Sequence, residues 1–210
     1  TAWPRRKTPA LFTWASVPAT ANGATWAGIC AACGGCGIPR RTNGFSKTMH
    51  AALVDVLLAT WNGERHLAAL LDSLLAQTYP HFRLLASDDG SIDGTRAVLE
   101  RYRPRFGGRL LLLPPRPAGR GGLGNFEYLM QASLDDAQAP WAMFCDQDDV
   151  WLPEKIAQTL AAMQRTELGA EPGTPCLVHT DLRVVDEALA PIAESFVRYQ
   201  HMDPARCTPR

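Results

Sequence analysis

Acidic residues are absent from the first 48 positions, where six basic ones stand: Arg5, Arg6, Lys7, Arg40, Arg41 and Lys47. The formal net charge of +0 therefore conceals a segregation, because residues 49–210 carry 15 basic against 21 acidic groups. A body of that sign has no basic face for a phosphate backbone, which argues against nucleic-acid binding. Also missing is any apolar run of about 18 residues or more, so no transmembrane helix is expected. Peripheral membrane association through surface contacts stays open. No second CxxC and no paired histidines accompany Cys30, Cys33 and Cys36 of "CAACGGC". A structural zinc site needs four ligands, so metal binding there is not supported. No clean apolar core follows Arg5-Arg6-Lys7, as a secretory signal would require.

Residues 1–48 also lack helical or strand periodicity, despite three of the six tryptophans and four prolines. They read as a disordered or non-native extension, with translation starting naturally at Met49. Cys145, Cys176 and Cys207 are scattered. The first two lie in apolar strand-like runs and suit small core residues better than a disulfide framework, which fits a reducing cytoplasmic compartment.

What is present is ordinary for a globular protein: 210 residues and 46% apolar content, enough for one sizeable core. "LVDVLLAT" (53–60) is a nearly continuous apolar run, as in a strand buried on both faces. After it, Leu67, Leu70, Leu71, Leu74 and Leu75 recur at helical spacing, with Asn62 placed to cap that helix. "FRLLAS" (82–87), "RLLLL" (109–113) and "WAMFC" (141–145) give three further strands, and 175–186 one more or a pair. Helical patterns separate them: Val98, Leu99 and Tyr102; then Phe126, Leu129, Met130 and Leu134; then Ile156, Leu160 and Met163 behind Pro153. Strands alternating with amphipathic helices predict an α/β fold with a mostly parallel sheet flanked by helices. Such sheets bind ligands at their carboxyl edge. Three polar clusters fall there: Thr60-Trp61-Asn62, Ser87-Asp88-Asp89 and Asp146-Gln147-Asp148.

Asp146 and Asp148, with Asp149 adjacent, crowd carboxylates into one turn. A D-x-D pair suits Mg2+ or Mn2+, which bind through one or two carboxylates and complete their shell with phosphate and water. The plain alternative is an acidic turn complementing the dipole of the next helix. Asp89-Gly90 reads mainly as a turn former and Asp88 as the stronger ligand contact, with Asp89 beside it also a candidate nucleotide-sugar contact. The Gly-rich loop "AGRGGLGN" (118–125) is a candidate phosphate cradle with Arg120 as its cation, though it lacks the G-x-x-x-x-G-K-[ST] pattern of a P-loop.

"VDVLLATWNGERHLAALLDSLLAQTYPHFRLLASDDGSIDGT", "NFEYLM" and "FCDQDDVWLPEKI", in that order, closely resemble the family 2 glycosyltransferases of GT-A fold. The nearest likeness is to the bacterial rhamnosyltransferase-like branch, over about Ala52 to Pro204. The resemblance implies a dTDP- or UDP-sugar donor, a saccharide or lipid-linked saccharide acceptor, and a place in cell-surface polysaccharide synthesis at the inner face of the cytoplasmic membrane. It assigns Thr60 and its neighbours to the nucleotide, Asp88 to the base, and Asp146 and Asp148 to metal and diphosphate. The reaction inverts the anomeric centre and needs a general base. In the family that base lies well downstream of the D-x-D, beyond Arg210 here, and Asp181 and Asp186 come too early for it. Residues 49–210 are thus expected to be a C-terminally truncated, donor-binding half with an exposed edge. Two other readings stand beside this one: a non-catalytic nucleotide-sugar-binding module, and Asp-based phosphoryl transfer with Lys155 nearby.

Overall fold

The computed structural model describes residues 11–14, 52–115, 119–171 and 173–202. Its elements are β1 (Leu11–Trp14), β2 (Val54–Thr60), α1 (Glu64–Leu75), β3 (Phe82–Asp88), α2 (Thr95–Tyr102), a 3-10 turn (Arg103–Phe106) and β4 (Leu110–Leu112). After these come α3 (Gly121–Asp136), β5 (Trp141–Asp146), β6 (Asp149–Trp151), α4 (Lys155–Leu168), β7 (Arg183–Val185), β8 (Pro191–Ala193) and α5 (Phe196–Tyr199).

Four strands in the order β4-β3-β2-β5 form an all-parallel sheet. Every residue of β2 is buried, as a central strand covered on both faces requires. Side chains alternate between the faces. Val54, Val56 and Leu58 meet Phe82, Leu84 and Ala86 of β3 in one core with Leu67, Leu70, Leu71 and Leu74 of α1. Leu57, Ala59 and Leu85 point the other way, toward Leu129 of α3. The α/β fold with a parallel sheet flanked by helices is as the periodicity predicts.

A second sheet runs β6-β1-β7-β8. Of residues 1–48 only Leu11–Trp14 is described, and it is a strand, parallel to β6 and antiparallel to β7, where the pattern suggested no element. The remainder of 1–48, "CAACGGC" included, and Cys207 lie outside the described residues.

Some boundaries depart from expectation. Asn62 does not cap α1. The cap position is Gly63, and Asn62 has a left-handed backbone (φ 48) with its carboxamide turned to the Ile92 N–H. Asn tolerates that conformation better than most residues. The capping is done from another segment: Asp93 Oδ2 accepts the Glu64 N–H at 3.2 Å, while Glu64 Oε2 accepts the Gly94 N–H at 2.8 Å. The supposed glycine loop is half helix, because α3 already begins at Gly121. Within 175–186 a strand forms only at Arg183–Val185, where β8 and β1 supply ladders. Leu177, with no strand beside it among the described residues, stays exposed, and Cys176 is half-buried; Cys145 is fully buried.

Candidate functional site

The parallel sheet brings the ends of β2, β3 and β5 side by side. In register, Thr60 sits opposite Asp88, and Ala59 opposite Asp146. The three polar clusters anticipated at the carboxyl edge are therefore neighbours.

Thr60 is buried, and its Oγ1 donates to Asp88 Oδ1 at 3.0 Å. Asp88 Oδ2 accepts the Ser91 N–H at 3.0 Å, and Oδ1 also accepts from the Ser91 hydroxyl at 2.5 Å. The side chain that closes this turn is thus Asp88, not Asp89, because its carboxylate lies within reach of the amide three residues on. Asp89 does something else. Its two oxygens accept the main-chain N–H groups of Arg120 (3.3 Å) and Gly121 (2.8 Å), so it caps α3. Carboxylate at a helix N-terminus is favourable, and here it offsets the cost of glycines in the first turn. Those two N–H groups consequently do not form an open phosphate cradle. Arg120 is exposed beside them.

Sequence reasoning missed Asn125. It is buried on the first turns of α3, and its Nδ2 lies 2.9 Å from the Ser87 carbonyl and 3.4 Å from that of Thr60. One carboxamide therefore holds the ends of both central strands. Its signal was the Asn of "NFEYLM", quoted for its likeness and not for its chemistry. Gln147 was missed as well, although it stands inside the D-x-D. Its carboxamide pairs with both main-chain groups of Trp61.

Asp146 ends β5, and Asp148 lies in the short turn before β6. Enclosure by the surrounding chain, and then the charge of Asp148, raises the Asp146 pKa, although part of its side chain still reaches water. Neither carboxylate accepts a hydrogen bond or joins an ion pair among the described residues. That sets them apart from Asp88, Asp89 and Asp93, and from Asp149, which is buried. It also sets them apart from the downstream carboxylates. Asp181 accepts from Ser195 Oγ and from the Leu182 and Val197 N–H groups, and Asp186 from the Ala188 and Ala190 N–H groups. No cluster of three or more His, Cys, Asp or Glu side chains is placed to enclose a metal by itself among the described residues. Two unneutralised carboxylates in one turn nonetheless fit a hard divalent cation that takes its other ligands from water and phosphate.

Parallel α/β sheets bind ligands at the carboxyl edge of their strands, and this chain sets its acidic pair there. Residues 55–174 match the model of glycosyl transferase family 2, and the chain belongs to that family. It is 29% identical over 140 residues to the Escherichia coli protein "UDP-Glc:alpha-D-GlcNAc-diphosphoundecaprenol beta-1,3-glucosyltransferase WfgD", covering 66% of this chain and 51% of that one. It is 29% identical over 103 residues to the Shigella flexneri "dTDP-rhamnosyl transferase RfbG", covering 49% of this chain and 35% of the relative. Among solved structures, S. aureus TarS 1-349 in complex with UDP shows 27% identity and a TM-score of 0.45, over 53% of this chain and 32% of that one. The chain thus spans about half the length of WfgD and about a third of RfbG. No helix among the described residues is long and apolar enough to cross a membrane.

Proposed function

We propose that residues 49–210 are the donor-binding portion of an inverting glycosyltransferase that moves a sugar from a dTDP- or UDP-sugar to a saccharide or lipid-linked saccharide acceptor. The setting is cell-surface polysaccharide synthesis at the cytoplasmic face of the membrane. The observation that carries this reading is the uncompensated Asp146–Asp148 pair at the sheet edge, next to Thr60 and Asp88. WfgD and RfbG support the two donor classes by their names, and RfbG supports rhamnose as a candidate sugar.

Asp146 and Asp148 would hold Mn2+ or Mg2+. Bound there, the cation stabilises negative charge growing on the leaving diphosphate as a Lewis acid. Thr60 and Asn62 line the nucleotide side. Asp88, fixed by Thr60 and Ser91, presents the remaining lone pair of Oδ2 to the base, with Asp89 behind it as the cap of α3. Arg120 adds a positive charge for the diphosphate where the α3 dipole is already positive. Attack by an acceptor hydroxyl needs a base. Asp181 and Asp186 are taken up in closing turns, which argues against either of them as that base.

Titration calorimetry with UDP and dTDP tests the reading. Affinity is expected to depend on Mn2+ or Mg2+ and to fall at least about tenfold in Asp148→Ala, the scale of a lost charge-assisted contact. Equal affinity with Mn2+ and with EDTA removes the metal from the mechanism.

A further inference from the structure

Gln147 stands between the two carboxylates, yet its side chain turns away from them. Nε2 donates to the Trp61 carbonyl at 2.9 Å, and Oε1 accepts the Trp61 N–H at 2.7 Å, across 86 positions of sequence. Both ends of the carboxamide are satisfied by one peptide residue. The orientation of the amide is thereby fixed, since flipping it would set donor against donor. The last main-chain pairing between β2 and β5 is Ala59 with Asp146. Beyond it the strands diverge into loops, and Gln147 continues the ladder with a side chain. A second feature makes room for this: a Cβ on Gly63 would lie 2.3 Å from Gln147 Oε1 and 2.5 Å from its Cδ. Gly63 has φ −105, so its backbone does not need glycine, whereas the close approach of Gln147 does.

We propose that Gln147 is a positioning residue that couples the nucleotide-side segment Thr60–Asn62 to the cation-holding Asp146 and Asp148, so that nucleotide and divalent cation bind cooperatively. The proposal rests on the donor-binding reading above. A cation on the two aspartates steadies the turn that carries Gln147, and the carboxamide passes that order to the Trp61 main chain. A nucleotide against Thr60–Asn62 does the reverse, since coupling between two sites is reciprocal.

The test uses the full chain, with UDP and dTDP as probes, and measures the ratio of affinity in Mn2+ to affinity in EDTA. Gln147→Met keeps the side-chain length and removes both hydrogen bonds. Gly63→Ala leaves Gln147 in place chemically but displaces it. Each is expected to lower the ratio about tenfold, the scale of one or two lost hydrogen bonds. The double variant is expected to be no worse than either single one, because both break the same clip. A merely structural role would lower affinity equally with and without Mn2+, leaving the ratio at its wild-type value, and that result overturns the proposal. Additive losses in the double variant overturn it too. A wild-type chain with no Mn2+-dependent nucleotide binding overturns the donor-binding reading itself, and the coupling with it. Should Gln147→Met fail to fold by thermal unfolding, Gly63→Ala alone decides by the same ratio.

Discussion

Helices α1, α2 and α4 cover one face of the parallel sheet with an apolar core, in which Leu67, Leu70, Leu71, Leu74, Phe82, Leu84, Phe106 and Ile156 are buried. On the other face α3 meets Leu57, Ala59 and Leu85 through Leu129, with Phe126 and Ala132 half-buried beside it and Phe126 edge-on to Phe144. Leu123, Leu134 and Phe144 remain exposed on this side. Polar contacts replace the missing packing. Arg83 grips Asp55 with two nitrogens at 2.9 and 2.8 Å and also pairs with Asp136 of α3, while Ser133 donates to Asp55 at 2.7 Å. At the opposite end of α3 stand Asn125 and the cap from Asp89. Apolar packing is non-directional, whereas hydrogen bonds fix position and angle. The face held by directed contacts is also the one toward which Asp146 points, two residues beyond Phe144. Where a site must be placed, this chain uses polar pins.

The sharpest way to break the contrast is at the buried pin. Asp55 is inaccessible to solvent, and Asp55→Ala leaves Arg83 without its main partner. Removing one side of such a pair costs about 3–5 kcal/mol. For a chain of this size that lowers the thermal midpoint by roughly 10 °C. The double change Asp55→Leu with Arg83→Met is expected to recover most of the loss, since apolar replacement of both partners is often neutral. If the double variant stays as unstable as the single one, Asp55 acts through Ser133 and not through the pair.

A buried cation on the packed face sharpens the comparison from the other side. Burial lowers the pKa of Lys155 to about 7, with Asp149 and Cys145 opposing the fall, and Nζ donates to Thr180 Oγ1 at 2.6 Å. In the unfolded chain a lysine titrates near 10.4. Above pH 7 the unfolded state therefore binds more protons than the folded one, and stability rises with pH. Below pH 7 both states are protonated and the penalty for the buried charge is constant. Between pH 7 and 8.5 the gain approaches about 1.4 kcal/mol per pH unit. Cys145, whose thiol pKa is raised by burial, works in the opposite direction at higher pH. Urea unfolding at pH 7, 8 and 8.5 should show the rise in the wild-type chain and a flat profile in Lys155→Met. A rise of the same size in the variant would exclude Lys155 as its source.

Strand and helix existence was legible because long apolar runs and helical leucine spacing carry the cores; Leu67, Leu70, Leu71 and Leu74 were identifiable from period alone. What was not legible depends on which donor meets which acceptor across long separations. Nothing local to Asp89 says that it caps a helix starting 32 residues later, or that Asp88 closes the turn in its place. The cap of α1 was misplaced for the same reason, since Asp93 performs it from the loop before α2. Asp146 and Asp148 were legible as a pair because like charges in one turn need an explanation. Gln147 was passed over as the variable middle of the motif, yet only a side chain of its length bridges to Trp61. The short strands β6 and β8 escaped as well, because three residues establish no period.

The exposed side of α3 supplies the smallest expected effect and the cleanest check on the contrast. Leu134 is 61% exposed on the last turn of α3, on the face away from Leu129. Leu134→Gln keeps helix propensity nearly constant, so only burial is varied. Surface changes away from special contacts fall within about 0.5 kcal/mol, so the thermal midpoint should move by no more than about 2 °C. Self-association should respond more. Leu134, Leu123 and Phe144 share the sparsely covered side of a sheet whose edge strand β5 pairs only with β2 among the described residues. Apolar surface beside an open strand edge promotes association between copies. Light scattering at increasing concentration should therefore show less assembly in Leu134→Gln than in the wild-type chain. A midpoint lower by many degrees, with assembly unchanged, would mean that residues outside the described ones bury Leu134, and the two faces would then be packed alike.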